Sequence, residues 1–180
     1  MELQVYEGRP AQVRTPREMH AYDYLEGLGI AYRRVDHAPA MTMEDCEAID
    51  AVLGVRMCKN LFLCNRQKTD FYLLLMPGDK PFRTKELSAQ LGVARLSFGS
   101  EEDMEGLLGL LPGSVSVMGL INDTQGRVRL LMDRDLLTAP EIGCHPCVNT
   151  SSVAFSTADL LEKLLPATGH RYTAVELTGV

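Results

Sequence analysis

The chain has 180 residues, 46% of them hydrophobic and 23% charged, with a formal net charge of -6. That length suits one domain with its own core, and no run approaches the ~20 apolar residues of a membrane-spanning helix. The acidic balance speaks against a protein that grips a long nucleic-acid duplex, which needs a basic face; it leaves room for an RNA end held at few phosphates.

The first residues carry little periodic pattern, so residues 1–14 read as an N-terminal arm ahead of a single domain over residues 15–180. They also lack the basic and then apolar segments of a signal peptide, which makes cytoplasmic residence the default expectation. Thr15-Pro16-Arg17-Glu18 predicts a helix start, with Thr at the cap and Pro in the first turn. Met19, Tyr22, Leu25 and Leu28 then recur every three residues, and Gly29 stops the helix. A strand over 31–35 follows. Thr42 caps a second helix carrying Cys46, Ile49 and Leu53 on one face, ended by Gly54. Residues 59–65 and 71–76 read as two buried strands joined by a polar turn.

Residues 84–91 predict a helix, 95–98 a strand, and Ser100 the cap of a helix whose early carboxylates suit its dipole. Pro112-Gly113 breaks that helix. Strands over 114–121 and 127–133 bracket the turn Asn122-Asp123-Thr124-Gln125-Gly126. A strand over 147–155 leads into a helix opened by Ser156, and residues 172–177 close the chain as a strand. Strand pairs mixed with isolated helices predict an α+β domain around a mixed sheet rather than regular βαβ winding.

Three segments carry candidate chemistry. Lys59-Asn60-Leu61-Phe62-Leu63 sets a cation and an amide at the mouth of an apolar strand. A lysine there can meet an anionic group or simply snorkel along the surface. Strand alternation sends Lys59 and Asn60 to opposite faces, so both serve one site only if a bulge or the strand's end intervenes. The glycine-bracketed run from Gly113 through Val117 and Met118 to Gly119 would let a ligand approach the main chain closely. Gly143-Cys144-His145-Pro146-Cys147-Val148-Asn149 places His145 and Asn149 four residues apart in a proline-interrupted loop. His145 can transfer a proton, position a sugar or pin its own loop, and the Asn149 amide suits loop bracing or a ribose contact.

The five cysteines are an odd number and fit free thiols better than a disulfide framework. Cys46, Cys58 and Cys64 read as small core residues. Cys144-His145-Pro146-Cys147 invites a redox or zinc reading. A redox pair would open a helix, however, and here the following residues are β-like. Zinc needs about four ligands, and no second Cys/His cluster stands at ligand spacing.

Together the three segments resemble the free-standing prolyl-tRNA editing domains, the YbaK/ProX group, which share their domain with the editing insertion of bacterial prolyl-tRNA synthetases. The resemblance runs from about Glu18 to Leu165. It implies a twisted, partly barrel-like mixed sheet flanked by helices, and a deacylase that hydrolyses mischarged aminoacyl-tRNA without cofactor or metal. The implied substrate is alanyl-tRNA of the proline anticodon, with cysteinyl-tRNA as the alternative and a non-catalytic tRNA or proline sensor as another class. The implied partners are the tRNA acceptor end and, as a further candidate, prolyl-tRNA synthetase. Carried onto this chain, Lys59 faces the terminal adenosine, Gly113 and its neighbours turn backbone N–H groups to the ester, and His145 positions the acceptor end. Asn60, Val117, Met118, Gly119, Gly143, Pro146 and Asn149 line the substrate site. Val117 stands where the group usually has proline, which removes that residue's stiffness. The resemblance further implies that the terminal 2′-hydroxyl of the tRNA helps activate water.

Overall fold

The computed structural model describes residues 2–40 and 42–180. Strand β1 (Val5–Glu7) arises within the expected arm and pairs antiparallel with β2 (Tyr32–Asp36). Between them, helix α1 (Pro16–Gly27) starts where expected, with the Thr15 hydroxyl accepting from the Glu18 N–H. It buries Ala21, Tyr22 and Leu25, the three- and four-residue spacing of one helical face. Thr42 and Asp45 form a complete capping box on α2 (Met43–Leu53), and Gly54 ends that helix at φ +74°. Ile49 and Leu53 share one face, as predicted, and pack it on Val35 and Ala154. Cys46 does not join them: it lies at the margin of the apolar stripe and is exposed beside a cleft. Cys58 is only half-buried.

Strands β3 (Cys58–Cys64) and β4 (Phe71–Pro77) form the expected antiparallel pair, with Asn60 opposite Leu75. Every residue of β4 is buried, as a strand covered on both faces requires. Helix α3 (Thr84–Leu91) follows, then the short edge strand β5 (Ser97–Phe98), then α4 (Glu101–Leu108) capped by Ser100. Strand β6 (Val128–Asp133) lies parallel to β4. A helical turn, α5 (Arg134–Leu137), leads to β7 (Glu141–Cys144) and β8 (Ser151–Ser156). The last helical segment runs through α6 (Thr157–Asp159), a π-helical turn at Leu160–Leu164 and α7 (Leu165–Thr168) before β9 (Tyr172–Val175).

The expected α+β architecture with a mixed sheet is present, divided in two. One sheet has the order β5-β3-β4-β6-β9 and the other β1-β2-β8-β7. A bridge between Met57 and Gly143 ties them at one corner. The main core fills the space between the sheets, with Phe62, Leu73 and Met132 from one side and Ile142, Val153 and Phe155 from the other. A second core lies on the far face of the five-stranded sheet, where Leu63, Leu74 and Met76 meet Leu87 of α3.

Two expectations for the segments after residue 112 need correction. The predicted strand over 114–121 is a loop followed by a 3-10 turn at Val117–Asn122, capped by the Ser116 hydroxyl. All of Val117 to Ile121 is buried, and a short, wholly buried apolar run has no periodicity to separate strand from helical turn. The strand predicted over 147–155 is shorter and begins at Ser151, while β7 lies before the His145 loop.

Candidate active site

Strand β3 sorts its side chains by alternation. Cys58, Phe62 and Cys64 face the main core, and Leu61 and Leu63 face the second one. Asn60 therefore points to the inner side and Lys59 away from it. Asn60 reaches a hollow of about 310 Å³ whose wall also includes Met57, Cys58, Gly113, Val115, Cys144 and His145. An adjoining hollow of about 280 Å³ shares Met57, Cys58, Gly113 and His145 and adds Ile49, Asn149 and Ser152. The bend at Gly113 and the loop after β7 thus meet the start of β3 at one cavity.

Local chemistry shapes each wall. Gly113 has φ +86°, and a Cβ there would stand 3.4 Å from the Asn149 amide nitrogen. Replacing Gly113 with alanine should cost ~1–2 kcal/mol, because a left-handed backbone is strained for an L-residue. A melting curve of the variant checks this. Ser116, fully buried, donates from its hydroxyl to the His145 carbonyl at 2.6 Å and so ties the two loops together. Gly143 packs so closely that a Cβ would lie 2.7 Å from the Met57 sulfur. Cys147 takes φ +64° without being glycine, a backbone conformation that costs energy and gathers at functional loops.

His145 is held by its Nδ1, 2.9 Å from the Ser151 carbonyl. A carbonyl can only accept, so Nδ1 carries the proton and a neutral ring leaves Nε2 with its lone pair. Burial lowers the pKa of His145 below the ordinary histidine range, aided by nearby His37 and opposed by the Ser151 carbonyl. Ser152 links the two imidazoles: its hydroxyl is 2.8 Å from His37 Nε2 and 3.5 Å from His145 Nδ1. Across the hollow, Asn60 donates to the Cys58 carbonyl at 3.1 Å, while its buried Oδ1 has no partner among the described residues. A buried amide oxygen without a donor is costly and marks where a ligand or water would bind.

The other sequence candidates fall elsewhere. Lys59 donates to the Lys80 carbonyl at 2.7 Å and lines a third hollow, about 380 Å³, beyond Met57 and Cys58. Val117, Met118 and Gly119 are not cavity-lining residues but core. Gly119 packs against Leu108 and Leu110, with a Cβ only 2.7 Å from a Leu110 methyl. Pro146 is buried within its loop. Burial raises the thiol pKa of Cys147 to about 12 and raises Cys144 too, the reverse of a reactive redox pair. Among the described residues, no group of three or more His, Cys, Asp and Glu side chains converges as a metal site.

Sequence reasoning missed His37, Ser116 and Ser152. Ser152 is 115 residues from His37 in the chain, and no local signal marks such a partnership.

A small two-sheet α+β domain with one polar cavity built from a strand end, a glycine bend and a histidine loop defines the class. The family model described as an aminoacyl-tRNA editing domain matches residues 37–163, and the chain belongs to that family. It is 34% identical over 153 residues to the prolyl-tRNA editing protein ProX of Acetoanaerobium sticklandii, covering 85% of this chain and 93% of that one. It is 30% identical over 150 residues to the prolyl-tRNA synthetase associated domain-containing protein 1 of Danio rerio, covering 82% of this chain and 80% of that protein. Among solved structures, a candidate trans-editing enzyme for prolyl tRNA synthetase superposes with a TM-score of 0.67 at 18% identity, covering 92% of this chain and 99% of that one, a likeness of fold.

Proposed function

We propose that this chain is a cytoplasmic trans-editing deacylase, hydrolysing the ester of mischarged aminoacyl-tRNA, specifically alanyl-tRNA of the proline anticodon. One observation carries the reading: the unpartnered Asn60 Oδ1 and the lone pair of a neutral His145 share a cavity with the main chain of Gly113. An aminoacyl ester is already activated, so orienting water and stabilising the oxyanion are the main tasks. Gly113 and Val115 line the cavity, and their N–H groups have no partner among the described residues, which suits oxyanion donation. His145 and Asn149 position the acceptor end, Asn60 accepts from a substrate hydroxyl or ammonium, and Lys59 reaches the terminal nucleotide from the neighbouring hollow. Val117, Met118 and Gly119 act from behind, as the packed floor that fixes the Gly113 bend. Gly143 and Pro146 set the course of the His145 loop. A hollow of this size favours a small acyl group by steric rejection of larger ones.

The test is a deacylation panel on alanyl-, cysteinyl- and prolyl-tRNA. Alanyl-tRNA should turn over fastest and prolyl-tRNA least. Preference for cysteinyl-tRNA would reassign the substrate, and binding without turnover of any of the three would make the chain a sensor rather than an enzyme.

A further inference from the structure

We infer that the outer face of the five-stranded sheet, from Lys59 across α3 to β5, is a docking surface for the backbone of a short RNA duplex. The inference deepens the proposed function by adding a second contact region for the same RNA outside the cavity. In a chain with a net charge of -6, Arg83, Lys85 and Arg95 are exposed, and none has an ion-pair partner among the described residues. Lys85 and Arg95 line one groove, with Val93 exposed between them. Beside them Phe98 is 62% exposed and meets Phe82 edge-on at 6.0 Å. Cations interleaved with exposed aromatic rings suit phosphates and sugars, whereas a protein-binding patch would be richer in apolar area.

The carboxylates around α3 are engaged, while Glu47, Asp50 and Asp79 line the hollow at the Lys59 end, so the anion-attracting part of the face is the stretch from α3 to β5. Glu86, on the same helix, accepts from the Thr178 and Gly179 N–H groups. Asp133 and Asp135 are held by Lys80, and Asp79 by Arg56. The acidic first turn of α4 lies on the other side of the sheet, since Met104 and Leu108 of that helix pack in the main core.

Continuity with the candidate site follows from the register. Phe98 pairs with Leu63, which shares a face with Lys59 four residues earlier on β3. At ~3.3 Å per residue that is ~13 Å, the reach of a few nucleotide steps along one strand of a duplex. Lys59 reaches toward this face by its bond to the Lys80 carbonyl, two residues before Phe82. An RNA whose end enters the cavity would lay its first few phosphates along Arg83, Lys85 and Arg95.

The experiment measures binding of an uncharged RNA hairpin with a 3′ single-stranded extension, as a function of salt, so that no turnover is required. The Arg83→Ala/Lys85→Ala/Arg95→Ala protein should bind ~10-fold or more weakly, with the slope of log K against log salt reduced by ~2–3. Phe98→Ala should weaken binding several-fold while leaving that slope unchanged. The milder Arg83→Gln/Lys85→Gln/Arg95→Gln protein and melting curves guard against a folding defect. Wild-type affinity and slope in both triple variants would overturn the docking surface, whatever the deacylation panel shows. Loss of binding in the triple variants, from a wild-type protein that deacylates nothing, would keep the surface and overturn the deacylase reading.

Discussion

His145→Ala should lower kcat/KM for deacylation of the preferred charged tRNA by ~100-fold, the order expected when a positioning group is removed from a reactive geometry. The informative comparison is with His145→Asn. The asparagine amide nitrogen sits close to where Nδ1 stood, so it can keep the bond to the Ser151 carbonyl. It offers nothing at the position of Nε2. If His145 merely pins its loop, Asn will restore both stability and turnover. If the ring serves the cavity, Asn will restore the ~1 kcal/mol of the lost hydrogen bond while turnover stays as low as in the alanine protein. Wild-type turnover in His145→Asn would remove His145 from the site. The pH profile gives a second check. Burial lowers the His145 pKa, so the neutral ring persists below the ordinary value of ~6.5. Activity that needs Nε2 as an acceptor should therefore hold through pH 6.5 and decline only at more acid pH.

What could be read from the chain beforehand divides along physical lines. Helix starts at Thr15, Thr42, Ser100 and Ser156 depend on groups within three residues, and all four hydroxyls cap as expected. The hairpin of β3 and β4 follows from two long apolar runs and a short polar turn. By contrast, β7 spans only Glu141–Cys144, too short for any pattern to stand out. The 3-10 turn at Val117–Asn122 exists because the Ser116 hydroxyl caps it and also bonds the His145 carbonyl 29 residues on. The same division runs through the candidate site. The family resemblance grouped Asn60, Gly113, His145 and Asn149 as one site; Asn60, Gly113 and His145 line one hollow, and Asn149 lines the adjoining one with Gly113 and His145. Strand alternation alone already set Lys59 against Asn60, and the structure keeps them on opposite sides. The shell behind His145 was illegible, because Ser152, His37 and Asp36 reach it only through tertiary pairing of β2 with β8.

That shell sets the largest expected stability effect, which falls on Asp36. Arg14 binds its carboxylate with both terminal nitrogens at 2.8 Å, Ser151 donates from its hydroxyl at 2.7 Å, and Arg34 makes a further short contact. Arg34 is only 4% exposed and otherwise has the Gly8 carbonyl and the face of Tyr6. Asp36→Ala leaves that guanidinium buried without its carboxylate, a change that costs ~3 kcal/mol or more. For a chain of this length that corresponds to ~6–12 °C in Tm. Burial alone would raise the Asp36 pKa, but hydrogen bonds from Arg14, Arg34 and Ser151 outweigh it and hold the carboxyl far below its ordinary range. A depressed folded-state pKa means the stabilisation is complete above the unfolded value of ~3.9 and drains away as pH falls below it. Stability measured from pH 6 down to pH 2 should thus fall more steeply in the wild-type chain than in Asp36→Asn, which has no charge to lose. The Ser151 hydroxyl lies on Asp36 and its carbonyl on His145, so Asp36→Ala should also loosen the ring that Ser151 aims. A variant with unchanged Tm and unchanged acid sensitivity would mean that water solvates Arg34 and that the cluster does not hold the His145 loop.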